Sequence, residues 1–218
     1  IDLLFADDER NVMKTHTAVD GVPFYESATY IGVYRDPRDA FFSLRNHMDN
    51  LTLETGEKEP EATKLFRSWL ESSDTSGEGG YSIKAPFHHL KCLWDMRHLP
   101  NVHLFHYSDL LRDLKGEMAR VAEAINVEID DALLSELAEA ATFSNMRSNF
   151  EKFVPGAKGG FWNEPKEFLK KGTSGQWQAV LPPDLVEQFD VRLKELVGDE
   201  MAEWVVSGNG KASDQAVL

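Results

Sequence analysis

The run TYIGVYRDPRDAFFS, residues 29–43, combines side chains that can do chemistry with a change of backbone state. A β-branched, apolar stretch ends in Arg35, crosses Asp36-Pro37 and turns helical on the way to Ser43. Asp36 is a natural N-cap, Pro37 suits the first helical turn, and Asp39 takes the capping position three residues later. Capping explains the carboxylates and the proline but leaves Arg35, Arg38 and Ser43 without a role. A helix N-terminus exposes unpaired N–H groups and partial positive charge, so it draws anions. Arg35, at the strand end, offers a planar fork that matches phosphate oxygens. Ser43, further along the helix, adds a hydroxyl. The corner suggests a phosphate site.

Such a corner needs strands and helices in a particular order. NVMKT (11–15), TYIGVYR (29–35) and NVHLFHY (101–107) read as strands, the last with Val102, Leu104 and His106 turned to one side. Helical periodicity covers 62–73, 85–97, 115–126, 130–142 and 184–197, the last opened by Pro182-Pro183-Asp184. Strands separated by helices predict an α/β fold with a parallel sheet flanked by helices. Residues 74–80 read as a flexible break and 207–218 as a disordered tail, which leaves 1–206 as a single domain. The Gly-rich stretch 148–176 is too long for an idle connection.

Bulk properties exclude several classes. With 37 acidic against 23 basic residues and a net charge of −14, the chain lacks the basic face that nucleic acids require. A local nest of donors still binds a small anion in an acidic protein. No apolar run reaches membrane-spanning length, and the opening IDLLFADDERN has no signal-peptide character. The single cysteine, Cys92, rules out an internal disulfide and fits a reducing, cytoplasmic setting. His88, His89 and Cys92 share one helix without a second ligand pair, and His103 and His106 face opposite sides of a strand. No metal centre is expected.

Arg35 followed by Asp39 and Ser43 resembles the 3′-phosphate motif of the cytosolic-type sulfotransferases. These enzymes use PAPS (3′-phosphoadenosine 5′-phosphosulfate) and release PAP. Four more segments, in the family's order, extend the likeness over about residues 11–190. VMKTHTAVDGVPF resembles the Lys-Thr-His strand end, which implies His16 as catalytic base and Lys14 as a neighbour steadying the transferring group. HLFHYSDLLRDLKGEMARVAEAINV resembles the strand and helix that supply an adenine-contacting tyrosine, here Tyr107. ATFSNMRSN resembles the segment lining the adenine pocket, which implies Thr142, Phe143 and Met146. FLKKGTSGQW resembles the loop that closes on the 3′-phosphate, which implies Lys170, Lys171 and Gly172, with Gly175 and Trp177 as scaffold. The implied fold is the sulfotransferase variant of the P-loop nucleotide hydrolase architecture. The implied reaction moves a sulfuryl group from PAPS to a hydroxyl of a small alcohol or phenol, without metal. On a strand Lys14 and His16 would share a face, and an imidazole is suited to accept the acceptor's proton near neutral pH.

The sequence departs from the family in three places. The Pro-Lys-Ser-Gly-Thr type loop that holds the 5′-phosphosulfate has no counterpart, and only thirteen residues precede Lys14. The fold is therefore expected to be N-terminally incomplete, the chain being a fragment of a longer protein. Lys170 stands where the family has Arg and lacks the bidentate fork. Gln178, Pro182 and Pro183 replace most of the family's dimer motif, which leaves only Glu187 and an open oligomeric state. Two other functions compete: a non-catalytic PAP-binding or interaction module, and a P-loop kinase relative, disfavoured because no GxxxxGK[ST] occurs. Phe161 and Trp162 either line the acceptor pocket or anchor the long loop.

Overall fold

A computed structural model describes residues 11–51, 61–73 and 82–209. The break expected at 74–80 and residues 210–218 of the expected tail lie outside the described residues. Strand β1 (Tyr30–Tyr34) leads into α1 (Pro37–Asp49), then α2 (Ala62–Glu71) and α3 (Lys84–Asp95). Strand β2 (Val102–His106) continues into α4 (Tyr107–Arg112), α5 (Leu114–Ala124), α6 (Asp131–Ala140), α7 (Phe143–Ser148) and α8 (Phe150–Phe153). Helices α9 (Pro183–Val197) and α10 (Asp199–Ser207) close the order. Short 3-10 turns occupy Val19–Gly21, Pro165–Leu169 and Gln176–Ala179.

The two strands pair in parallel, with Tyr30 opposite Val102 and Tyr34 opposite His106. The α/β expectation therefore holds, with a sheet of two strands among the described residues. Gly32 sets how closely the layers pack. A Cβ there would lie 2.9 Å from Leu93 of α3 and 3.2 Å from Leu104 of β2, so the missing side chain lets α3 close on the sheet. β2 buries Val102, Phe105 and His106, not the simple alternation expected, because both of its faces are covered.

The strand expected at 11–15 does not form. Residues 11–16 have no regular structure, and Val12 and Met13 are 91% and 71% exposed. An extended segment gains little unless its backbone groups find a neighbouring strand. No such neighbour lies beside this segment among the described residues.

The core sits on the helical side, where α1, α2, α3, α9 and α10 converge. Phe66, wholly buried, is surrounded by Phe41 at 5.1 Å, Trp69 at 5.2 Å and Phe189 at 6.0 Å between ring centroids. Leu185, Leu193, Met201 and Val205 complete it from α9 and α10. Each such side chain contributes about 1.5–3 kcal/mol on burial, which fixes α1 and hence the corner at its start. No helix among the described residues is long and apolar enough to cross a membrane.

Candidate functional site

At the start of α1, Asp36 caps the helix as expected: its Oδ1 accepts the Arg38 N–H at 2.9 Å. Arg38 itself is committed elsewhere. Its guanidinium pairs with Asp36 at 2.9 Å and Asp190 at 3.4 Å, and lies over Trp177 at 3.8 Å and Phe189 at 4.8 Å. With 5% of its side chain exposed, Arg38 is a structural clamp and not the anion donor its position suggested.

Asp39 also differs from its expected part in a capping box. It is buried, and its two oxygens accept the N–H groups of Gly175 at 2.7 Å and Gln176 at 2.9 Å. A buried carboxylate needs such partners. It therefore fastens the loop of residues 170–176 to the first turn of α1.

Arg35 is held by register. Tyr34 faces His106 across the ladder, so Arg35 and Tyr107 are the first residues beyond the ends of the two paired strands. The Arg35 guanidinium accordingly stacks over the Tyr107 ring at 4.6 Å. One terminal nitrogen donates to the Thr173 carbonyl at 3.0 Å, while Nε is buried without a partner among the described residues. Ser43 is half-buried on α1.

The segment 142–147 closes another side. Thr142 is the N-cap of α7: its Oγ1 accepts the Asn145 N–H at 3.4 Å and donates to the Glu139 carbonyl at 2.8 Å. Phe143 lies against Gly172, whose φ of +63° favours glycine. A Cβ at Gly172 would sit 2.4 Å from the Phe143 ring. Met146 is half-buried. Arg147, which the sequence did not single out, donates to the carbonyls of Lys166 (3.0 Å) and Leu169 and pairs with Glu167 at 2.9 Å. It clips the approach to the loop onto α7. Lys170 is exposed and donates to Asn46 Oδ1 of α1 at 3.2 Å; Lys171 is exposed. Trp162 is buried, donates from Nε1 to the Pro155 carbonyl at 2.7 Å and packs 5.0 Å from Phe168. It anchors the long loop, whereas Phe161 is 53% exposed.

Lys14 and His16 lie in irregular, exposed chain and not on one strand face. His16 is near His89 of α3. Burial, then His16 and His88, push the His89 imidazole below the usual histidine range. The Tyr34 hydroxyl sits 2.9 Å from His89 Nδ1, and burial raises the pKa of this phenol strongly. Beside Arg35, between β1, α1, α2 and α3, opens a largely apolar cavity of about 360 Å³, lined by Val33, Tyr34, Phe41, Leu44, Trp69 and Phe87 among others.

Adjacent parallel strand ends that deliver an arginine and a tyrosine, beneath a glycine-bearing loop tied to a helix start, define an α/β protein with a built corner at the head of α1. Comparison with known proteins narrows the class. The sulfotransferase domain family matches residues 1–203. A glycolipid sulfotransferase of Mycobacterium tuberculosis (strain ATCC 25177 / H37Ra) is 30% identical, the match covering 94% of this chain and 72% of that protein. The one from Mycobacterium bovis (strain BCG / Pasteur 1173P2) is 29% identical with the same coverage. Among solved structures, the fold is similar to mouse sulfotransferase SULT7A1 complexed with PAP. That likeness has a TM-score of 0.73 at 17% identity, covering 99% of this chain and 74% of that one. The chain belongs to the sulfotransferase family.

Proposed function

We propose that this chain carries the 3′-phosphoadenosine half of a PAPS site and serves transfer of a sulfuryl group to a hydroxyl acceptor. The observation that carries the reading is Arg35. Its guanidinium stacks on Tyr107 and reaches Thr173, yet keeps a buried Nε without a partner among the described residues. A desolvated N–H left unpaired costs about 1–3 kcal/mol, and an anion at the corner supplies the acceptor it lacks. In this reading Arg35 and Ser43 hold the 3′-phosphate. Tyr107, Thr142, Phe143 and Met146 bound the adenine. Gly172 brings the loop close enough for Lys170 and Lys171 to add charge. His16 takes the acceptor's proton, Lys14 steadies the group in transit, and no metal is required. The sulfotransferase family match and the PAP complexed with the mouse structural neighbour support this donor. The apolar cavity beside Arg35 suits an acceptor whose hydroxyl is borne on an apolar body, in keeping with relatives described as glycolipid sulfotransferases.

A second reading is a PAP-binding module without turnover, which needs only the corner around Arg35 and the loop that reaches it through Thr173. One pair of measurements separates them. Calorimetric titration with PAP is expected to show micromolar binding that Arg35→Ala abolishes. Incubation of the full-length protein with labelled PAPS and a panel of alcohols and phenols is expected to yield sulfated product. Binding without product selects the module, and PAP binding indifferent to Arg35 overturns both readings.

A further inference from the structure

The 3-10 turn Val19–Gly21 packs on α3, and there three different ligand types converge. Asp20 Oδ2 lies 2.9 Å from His88 Nε2, His88 Nε2 lies 3.8 Å from Cys92 Sγ, and the three ligand atoms all fall within 4.8 Å of one another. His88 and Cys92 stand four residues apart, so they share one helix face. Asp20 comes from a distant part of the sequence, which is why residue spacing alone gave no sign of it. The sulfuryl-transfer reading uses none of the three.

We propose that Asp20, His88 and Cys92 bind one thiophilic divalent cation of the zinc class, and that the cation fastens the segment bearing Lys14 and His16 to α3. A tetrahedral zinc with bonds of about 2.0–2.1 Å to nitrogen and oxygen and 2.3 Å to sulfur sets its ligands about 3.3–3.6 Å apart. The observed separations bracket those values, so rotamer adjustment suffices. Carboxylate, imidazole and thiolate together select zinc or cobalt over magnesium or calcium, which take oxygen ligands. The residues are accessible: His88 and Asp20 have 61% and 56% of their side chains exposed, and Cys92 is partly so. A cation can therefore enter without unfolding, and a fourth position stays open to solvent. His89 is turned away to Tyr34 and takes no part. The inference stands independently of the sulfotransferase function.

The test uses the reduced, chelator-stripped chain and Co²⁺ as probe. One equivalent is expected to bind with a near-ultraviolet sulfur-to-cobalt charge-transfer band. Cys92→Ser is expected to remove that band, while His88→Ala and Asp20→Asn each weaken binding tenfold or more; His98→Ala, on an exposed histidine elsewhere, leaves it unchanged. With Zn²⁺ bound, tryptic cleavage after Lys14 is expected to slow at least tenfold in the parent chain and not in Cys92→Ser. No charge-transfer band, or equal affinity in Cys92→Ser and the parent, overturns the site. Cleavage at the same rate with and without Zn²⁺ overturns the fastening. Circular dichroism of each variant checks that it is folded.

Discussion

The Asp39 carboxylate accepts the Gly175 N–H at 2.7 Å across 136 residues of chain, and the neighbouring Gln176 N–H at 2.9 Å. Asp39 sits in the first turn of α1 and is 1% exposed. Through it the strand-end arginine, the helix start and the glycine-bearing loop form one unit, because the same loop gives its Thr173 carbonyl to Arg35. Loop and corner therefore move or unfold together.

Asp39→Ala strands two loop N–H groups. Hydrogen bonds to a charged group are worth about 1.5–3 kcal/mol each, so chemical denaturation is expected to show a loss of at least that much. PAP affinity is expected to fall along with it. Asp39→Asn, which keeps one acceptor oxygen, should lie between the parent and the alanine variant; a neutral Asp39→Ala would contradict the unit.

Gly172→Ala acts on backbone and packing at once. The positive φ costs about 1–3 kcal/mol for a residue with a Cβ, and the added methyl meets the Phe143 ring. Denaturation is expected to show a loss in that range, together with weakened PAP binding as Phe143 is displaced. A variant as stable as the parent would mean that Phe143 does not pack there.

Arg35 is expected to matter for ligand and little for the fold. Arg35→Lys keeps the charge but loses the fork. Calorimetry should show PAP bound ten- to a hundredfold more weakly, a change of about 1.4–2.7 kcal/mol. Thermal unfolding should change little. Unchanged affinity would remove Arg35 from the site.

His16 is exposed and lies on the His89 side of the cavity, away from the Arg35–Tyr107 stack, so its replacement should separate chemistry from binding. In the full-length protein His16→Ala is expected to lower kcat about 10²- to 10⁴-fold, the usual scale of general-base help, while PAP affinity stays the same. Lost PAP affinity would contradict the role proposed for His16.

Acid should destabilise the protein through one buried and two half-buried imidazoles. Burial lowers the pKa of His106, His89 and His47 below the ordinary histidine value. His106, with no exposed surface, donates from Nε2 to the Val205 carbonyl at 3.0 Å and accepts the Ser108 N–H at Nδ1 at 3.2 Å. Both nitrogens are thus used by the neutral ring. Each of these histidines binds its proton more readily in the unfolded chain, so their contribution is full above about pH 6.5 and is lost as pH falls through the lower folded values. Urea titrations from pH 7.5 down to 5 are expected to show falling stability, with a shallower slope in His106→Gln. A flat profile would mean that the rings titrate alike in the folded and unfolded chain.

Local physics made part of this molecule legible in advance. The Asp36 cap, the proline behind it and the strand running into Arg35 depend on neighbours in sequence, and the expected corner is the observed one. Five helices declared by apolar periodicity form within a few residues of their expected ends. Helix α10 was not foreseen, although Met201, Ala202 and Val205 supply a buried face. It follows Gly198 at once and draws its stability from packing against the core.

What the sequence determined by itself was the set of groups proposed to grip a phosphate and the strand–helix order that presents them, because turns, caps and periodicity are short-range. Only the tertiary structure decided which arginine keeps an unpartnered N–H among the described residues. Arg35 and Arg38 look alike in the sequence, but Asp190, Trp177 and Phe189, all distant in the chain, claim Arg38. The segment 11–15 has the composition of a strand, yet a strand is completed by its neighbour's backbone, and its own residues do not encode one. Pairing, charge compensation and ligand convergence all bring together residues far apart in the chain, so they are fixed only when the chain packs.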